Sequence, residues 1–218
     1  MIIHKIPDKL KTIIFDIDGT LYTNKLYVFE QVDVQIRHFA HIKGISEKEA
    51  RHEIESYRKT YAASHEGKKI SLGNTLLAFG ISIEESIDWR NKLLEPHRFL
   101  HKDIKLIKTL SKLKEKYFLI ALTNNPVLAA QKTLDAIGIK DYIPEIIGLD
   151  SCMKSKPSKE NLELAVKLSH CKKEECLCIG DRYDIDIALP LTLGMGGITV
   201  NGVEEVYCLP DILNTYSP

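Results

Sequence analysis

The chain has 218 residues, 44% hydrophobic and 28% charged, enough to bury a sizeable core in one domain or in a domain carrying an insertion. Its 30 Lys and Arg residues balance its 30 Asp and Glu residues, so no net field argues for a nucleic-acid polymer, a membrane surface or a strongly acidic partner. No stretch approaches the roughly 20 apolar residues that span a bilayer, and Met1-Ile-Ile-His-Lys-Ile-Pro7 lacks the apolar core and cleavage site of an export signal, so the expectation is a cytoplasmic protein.

Thr12–Phe15 is a short β-branched and aromatic run that stops at Asp16-Ile-Asp-Gly-Thr20, as a buried strand ending in a loop does. Residues 23–97 follow with helical segments but no convincing strand. Ser46-Glu-Lys-Glu49 and Ser82-Ile-Glu-Glu85 match the capping box, in which a serine and a glutamate three residues on satisfy orphan amides at a helix start. Polar, glycine-containing His65–Gly73 reads as a loop between helices.

Ile104, Leu106, Ile107, Leu110 and Leu113 then repeat at helical spacing. Phe118–Leu122 is a second strand, ending at Thr123-Asn-Asn-Pro126, and Val127–Ile137 a further helix. Glu145–Leu149 is a third strand, ending at Asp150-Ser151. Leu162, Leu164, Ala165 and Leu168 mark another helix, and Cys176–Ile179 a fourth strand, ending at Gly180-Asp181.

Strands alternating with helices predict an α/β fold, a doubly wound parallel sheet covered on both faces. Residues 1–22 and 98–218 supply it, and 23–97 form an inserted α-helical domain. In such sheets ligands bind beyond the carboxyl ends of the strands. All four polar clusters fall there.

Five cysteines form an odd set that suits a reducing compartment and free thiols. Cys171, Cys176 and Cys178, beside His170, show no CxxC pairing and no regular ligand spacing, so a zinc cluster is set aside. Cys176 and Cys178 read as small hydrophobes in a buried strand.

Asp16 and Asp18 lie two apart at a strand end, where their side chains lean toward the same side. Two neighbouring carboxylates repel. A divalent cation relieves that repulsion, or one carboxyl stays protonated and serves as an acid; a turn held by Asx contacts is the plainer alternative.

Asp16-Ile-Asp-Gly-Thr-Leu-Tyr22 resembles the first motif of haloacid dehalogenase-like phosphatases. The remaining motifs appear in order: Thr123 at the end of the next core strand, Lys156 before Pro157, and Gly180-Asp181 with Asp186. The resemblance covers the whole chain and implies a Rossmann-like core with a helical cap inserted after the first motif. It implies that Asp16 attacks phosphorus, and that Asp18 protonates the leaving oxygen and then activates water. Thr123, Asn124 and nearby amides would hold phosphate oxygens, and Lys156 would neutralise the carboxylates and the phosphoryl group. Mg2+ would be held by Asp16, the backbone carbonyl of Asp18 and Asp181, with Asp186 or Asp184 supporting them.

The partner implied is a small phosphorylated metabolite. Within the superfamily, the acidic Asp18 argues against dehalogenation and is compatible with phosphatases, phosphoglycolate phosphatase among them, and with sugar-phosphate mutases resembling β-phosphoglucomutase. A regulatory or binding module without turnover is the non-enzymatic alternative. Lys43–Arg51 with Tyr57, Tyr61 and Gly67 resembles the cap of pyrimidine 5′-nucleotidase-like members, although Ala62 and Lys68-Lys69 depart from that pattern. Tyr57 and Tyr61, four apart on one helix face, either stack on a base or pack the cap against itself. Lys68 and Lys69 either reach a substrate phosphate or solvate a loop.

Overall fold

The computed structural model describes residues 1–68 and 70–216. Two strands come first, β1 (Ile2–Lys5) and β2 (Thr12–Phe15), then four helices, α1 (Lys25–Lys43), α2 (Glu47–Ser64), α3 (Leu72–Ala78) and α4 (Ile83–Leu93). Strands and helices alternate from there: α5 (Ile104–Lys114), β3 (Phe118–Leu122), α6 (Val127–Ala136), β4 (Glu145–Ile147), α7 (Leu149–Cys152), α8 (Lys159–Ser169) and β5 (Cys176–Gly180). The chain continues with α9 (Ala188–Thr192), β6 (Gly196–Thr199), α10 (Val203–Val206) and α11 (Leu209–Tyr216). No helix among the described residues is long and apolar enough to cross a membrane.

Two compact units result. The first combines Met1–Lys25 with the chain from Pro96 onward and holds a six-stranded sheet in the order β1-β6-β5-β2-β3-β4. β2 pairs in parallel with both β3 and β5, and only β1 runs antiparallel to its neighbour, β6. This is the α/β sheet expected from the alternation of elements. β2 and β5 are buried along their whole length, which explains their unbroken apolar runs. Ile14, Ile120, Ile147 and Cys178 pack with Leu162 and Ala165 of α8 in one contiguous core. Burial of this kind stabilises by roughly 25 cal/mol per Å² of apolar surface.

Two expectations need correction. The run Glu145–Leu149 pairs only through Ile147, and Leu149 instead opens α7. A side chain at Gly148 would lie 2.6 Å from the Val127 amide nitrogen, so the strand stops where the chain must pass closely. Strands β1 and β6 were not expected from the sequence. β1 is exposed throughout, and β6 carries Gly196 and Gly197, where a Cβ would meet Pro7 Cδ at 2.5 Å and Ile187 Cγ2 at 2.6 Å.

The second unit, Leu26–Glu95, has its own core of Ile36, Phe39, Ala50, Ile54, Leu76 and Trp89. Both predicted capping boxes are formed: Glu49 N donates to Ser46 Oγ at 3.2 Å, and Glu85 N donates to Ser82 Oγ at 3.1 Å. Asp33, on α1, accepts from Arg51 of α2 at 2.9 and 3.0 Å, and these partners hold its carboxyl below the usual range. The loop expected over residues 65–73 is shorter than that. Ser71 Oγ accepts from Asn74 N at 3.2 Å and starts α3 at Leu72.

Candidate active site

The carboxyl ends of β2, β3 and β5 lie side by side, because these strands are neighbours in the sheet. Each carries a candidate residue just past its end. Asp16 N still donates to Ile179 O at 2.8 Å, and Thr123 N to Ile147 O at 2.9 Å, so the ladder fixes the backbone at both positions.

The loop after β2 folds back on itself. Leu21 N donates to Ile17 O at 2.9 Å, and Asp18 forms an isolated parallel bridge with Tyr22. Gly19 sits at φ +86°, and a Cβ there would lie 2.7 Å from Asp181 Oδ2. Only glycine meets both the left-handed backbone and the close approach of the β5 loop.

Asp16 is 4% exposed. The buried Lys156 ammonium donates to its Oδ1, and Thr20 Oγ1 donates to its Oδ2 at 3.1 Å. Lys156 Nζ also donates to Asp186 Oδ1 at 2.7 Å. Burial pushes Asp16 up to about 7 against the opposing pull of Lys156. Burial also works to lower Lys156, but Asp16 and Asp186 outweigh it and hold the lysine above its usual range, in its charged form. Asp16, Lys156 and Asp186 share with Ile14, Leu122, Leu162 and Cys178 the lining of a cavity of ≈ 20 Å³, room for about one water.

Asp18 is half-buried and held on both oxygens. Tyr22 Oη donates to Oδ1 at 2.5 Å, while Asn125 Nδ2 and Thr123 Oγ1 donate to Oδ2 at 3.0 and 3.3 Å. Asn124 Oδ1 accepts from Lys156 N at 2.6 Å, tying the lysine loop to the end of β3.

Asp181 follows β5 and is partly buried, which raises its carboxyl above the usual range. Residues Tyr183–Ile187 form a widened helical turn that directs Asp186 inward, where its Oδ2 accepts from Arg182 N at 3.1 Å. Such turns interrupt regular helices and recur at functional sites. Asp184, the other acid of this run, is exposed. A side chain at Gly180 would collide with Asp186 Cβ at 2.4 Å, so glycine is what lets the turn pass so near the strand.

Oxygens of Asp16, Asp181 and Asp186 lie within 4.8 Å of one another. Asp181 Oδ1 is buried and accepts no hydrogen bond, and it forms an ion pair with Arg182 Nε at 3.6 Å. An all-oxygen donor set of three clustered carboxylates suits a hard divalent cation.

Tyr57 and Tyr61 belong to the second unit, where Tyr57 packs edge-on against Phe79 with centroids 5.5 Å apart and Tyr61 stacks on His65 at 3.8 Å. Lys68 is exposed in the turn after α2, and Lys69 lies outside the described residues. The cysteines are free thiols; Cys171 and Cys176 have sulfurs 3.3 Å apart and form no metal-ligand group with His170 among the described residues. The polar cluster at Asp150-Ser151 is structural, because Asp150 Oδ1 accepts from Val127 N at 2.9 Å and caps α6. Thr20, Tyr22 and Asn125 were missed from the sequence. Two of them carried a signal, since Thr20 and Tyr22 each lie four residues after the carboxylate they touch.

The model of haloacid dehalogenase-like hydrolases matches residues 10–189. A pyrophosphatase PpaX from Listeria welshimeri is 23% identical over 207 residues, 91% of this chain and 88% of that one. Among solved structures, a HAD phosphatase from Thermococcus onnurineus superposes with a TM-score of 0.66 at 22% identity, covering 94% of this chain and 98% of that one. A 2-haloacid dehalogenase from Pseudomonas syringae shares the fold at a TM-score of 0.61 and 15% identity, covering 95% and 100%. With the family match spanning most of the chain, the protein belongs to the haloacid dehalogenase-like hydrolases.

Proposed function

We propose that the protein is a Mg2+-dependent phosphatase that hydrolyses a small phosphate monoester through an aspartyl-phosphate on Asp16. The observation that carries this reading is the contrast between two carboxylates on one loop. Asp16 is buried against the Lys156 ammonium, and Asp18, two residues on, is held by neutral donors.

In the first half-reaction an Asp16 oxygen bonds to phosphorus as the bond to the leaving oxygen breaks, and Asp18 gives that oxygen its proton. In the second, Asp18 takes a proton from a water that attacks phosphorus. The bond to Asp16 then breaks, releasing inorganic phosphate and restoring the carboxylate. Lys156 holds Asp16 in place and offsets charge on the phosphoryl oxygens, a role that electrostatics favours in a poorly solvated pocket. Asp16, Asp181, Asp186 and the carbonyl of Asp18 would hold Mg2+, which when bound neutralises the carboxylates and the phosphoryl group.

Substrates fall within small phosphorylated compounds. Inorganic pyrophosphate enters through the name of the Listeria relative, and nucleoside monophosphates through the cap resemblance. Tyr57 packs edge-on against, and Tyr61 stacks on, residues of their own unit, which favours packing over base recognition. Phosphate release should be measured with Mg2+ and with EDTA on pyrophosphate, phosphoglycolate, sugar phosphates and nucleoside monophosphates, for the parent and Asp16→Asn. Turnover by the parent with Mg2+ alone, and none by a folded Asp16→Asn, is expected. Equal release by the two proteins removes Asp16 as nucleophile.

A further inference from the structure

We propose that Tyr22 is a positioning residue for phosphoryl transfer, its hydroxyl aiming the Asp18 carboxyl at the leaving oxygen with Asn125 as counter-anchor. This rests on the acid/base role of Asp18 proposed above.

Three donors converge on this one side chain from two segments of the chain. Tyr22 takes Oδ1, and Asn125 and Thr123 take Oδ2. One anchored oxygen would leave the carboxyl free to swing about its Cβ bond. Anchors on both oxygens fix its plane, and with it the direction in which a proton can be passed.

Tyr22 is itself immobilised. It is 4% exposed, and the bridge it forms with Asp18 locks the loop backbone that carries both residues. Thr123 already serves the strand end, where it also accepts from Asn125 N at 3.1 Å. Tyr22 therefore adds a constraint that Thr123 alone does not supply. A general acid displaced by a fraction of an ångström donates poorly, because proton transfer needs heavy atoms about 2.6–3.2 Å apart.

The chemistry gives a readout that simple destabilisation does not. A good leaving group departs with little protonation, whereas a poor one depends on the acid. Tyr22→Phe keeps the buried ring and removes only the hydroxyl. For a series of para-substituted phenyl phosphates, kcat/KM reports the steps through cleavage of the ester bond. The expected result is a steeper fall of log kcat/KM with leaving-phenol pKa in Tyr22→Phe than in the parent. The loss for phenyl phosphate should exceed that for p-nitrophenyl phosphate by about fivefold or more, on the scale of partial loss of a general acid. Asn125→Ala provides a second arm with the same expected direction.

Asp18→Asn separates the two claims. If it leaves the slope of the parent unchanged, Asp18 is not the acid and the functional reading fails first. If Asp18→Asn steepens the slope while Tyr22→Phe and Asn125→Ala lower all esters equally, or not at all, the positioning role is overturned.

Discussion

Lys156 donates to Asp16 across 140 residues of chain, joining the loop before α8 to the end of β2 in a pair from which water is almost entirely excluded. Removing one partner of such a pair leaves an uncompensated buried charge, which costs about 3–5 kcal/mol. Lys156→Met should therefore lose that stability in urea unfolding with EDTA present. The loss should shrink when Asp16→Asn is combined with it. Additive losses in the double variant would show that the two side chains do not interact.

The raised Asp16 carboxyl makes the cation-free protein pH-sensitive. Unfolded, an aspartate titrates near about 3.9; folded, Asp16 titrates at about 7, so the folded state binds this proton more tightly. Its stabilising contribution is complete below about pH 4 and is lost as pH rises through about 7. The Tm of EDTA-treated protein, relative to Asp16→Asn, should fall from about pH 4 to about pH 7 and level off above that, and the Tm gained on adding Mg2+ should grow as pH rises toward about 7. A Mg2+-induced shift independent of pH would contradict the assignment.

Gly19→Ala tests the contact between the β2 and β5 loops. The new methyl meets Asp181 Oδ2 within 2.7 Å and sits on a left-handed backbone, a conformation costing roughly 1–2 kcal/mol for a residue with a Cβ. The Mg2+ concentration for half-maximal phosphate release should rise by about 10–100-fold, as when support for a metal ligand is lost. Unchanged metal dependence would mean that Asp181 is not a ligand.

The second unit allows a prediction free of any catalytic assumption. Ser82→Ala removes the acceptor for Glu85 N at the start of α4, the helix that carries Trp89 into that unit's core. A lost cap costs about 1 kcal/mol, within a range of about 0.5–2. Differential urea unfolding should show this loss, and a variant as stable as the parent would mean the box contributes nothing.

Much of this architecture was legible because burial writes itself into composition. β2, β3 and β5 are covered on both faces and read as continuous apolar runs, and the two serine boxes mark helix starts through local hydrogen bonds alone. Other features depend on contacts that no local pattern records. β1 is an exposed edge strand, and β6 begins with glycines chosen for close packing, so neither looks like a core strand. The order of strands in the sheet is likewise set by long-range pairing. The sequence favoured Asp186 while keeping Asp184 as the alternative, and the widened turn at Tyr183–Ile187 buries the first and leaves the second in water. Tyr22 and Asn125 read as ordinary loop residues because their importance lies in converging on Asp18 from opposite directions.

The register of β2 with β3 runs from Thr12 opposite Phe118 to Phe15 opposite Ala121, with the whole of Leu26–Glu95 between the two strands. Closing a loop costs only about 0.6 kcal/mol for each doubling of its length, and an insertion that folds around its own core does not even behave as a long flexible loop. The sheet therefore bears almost none of the entropic burden of the insertion. A lineage carrying this core can lengthen, shorten or replace those helices while the pairing that assembles Asp16, Thr123 and Lys156 persists.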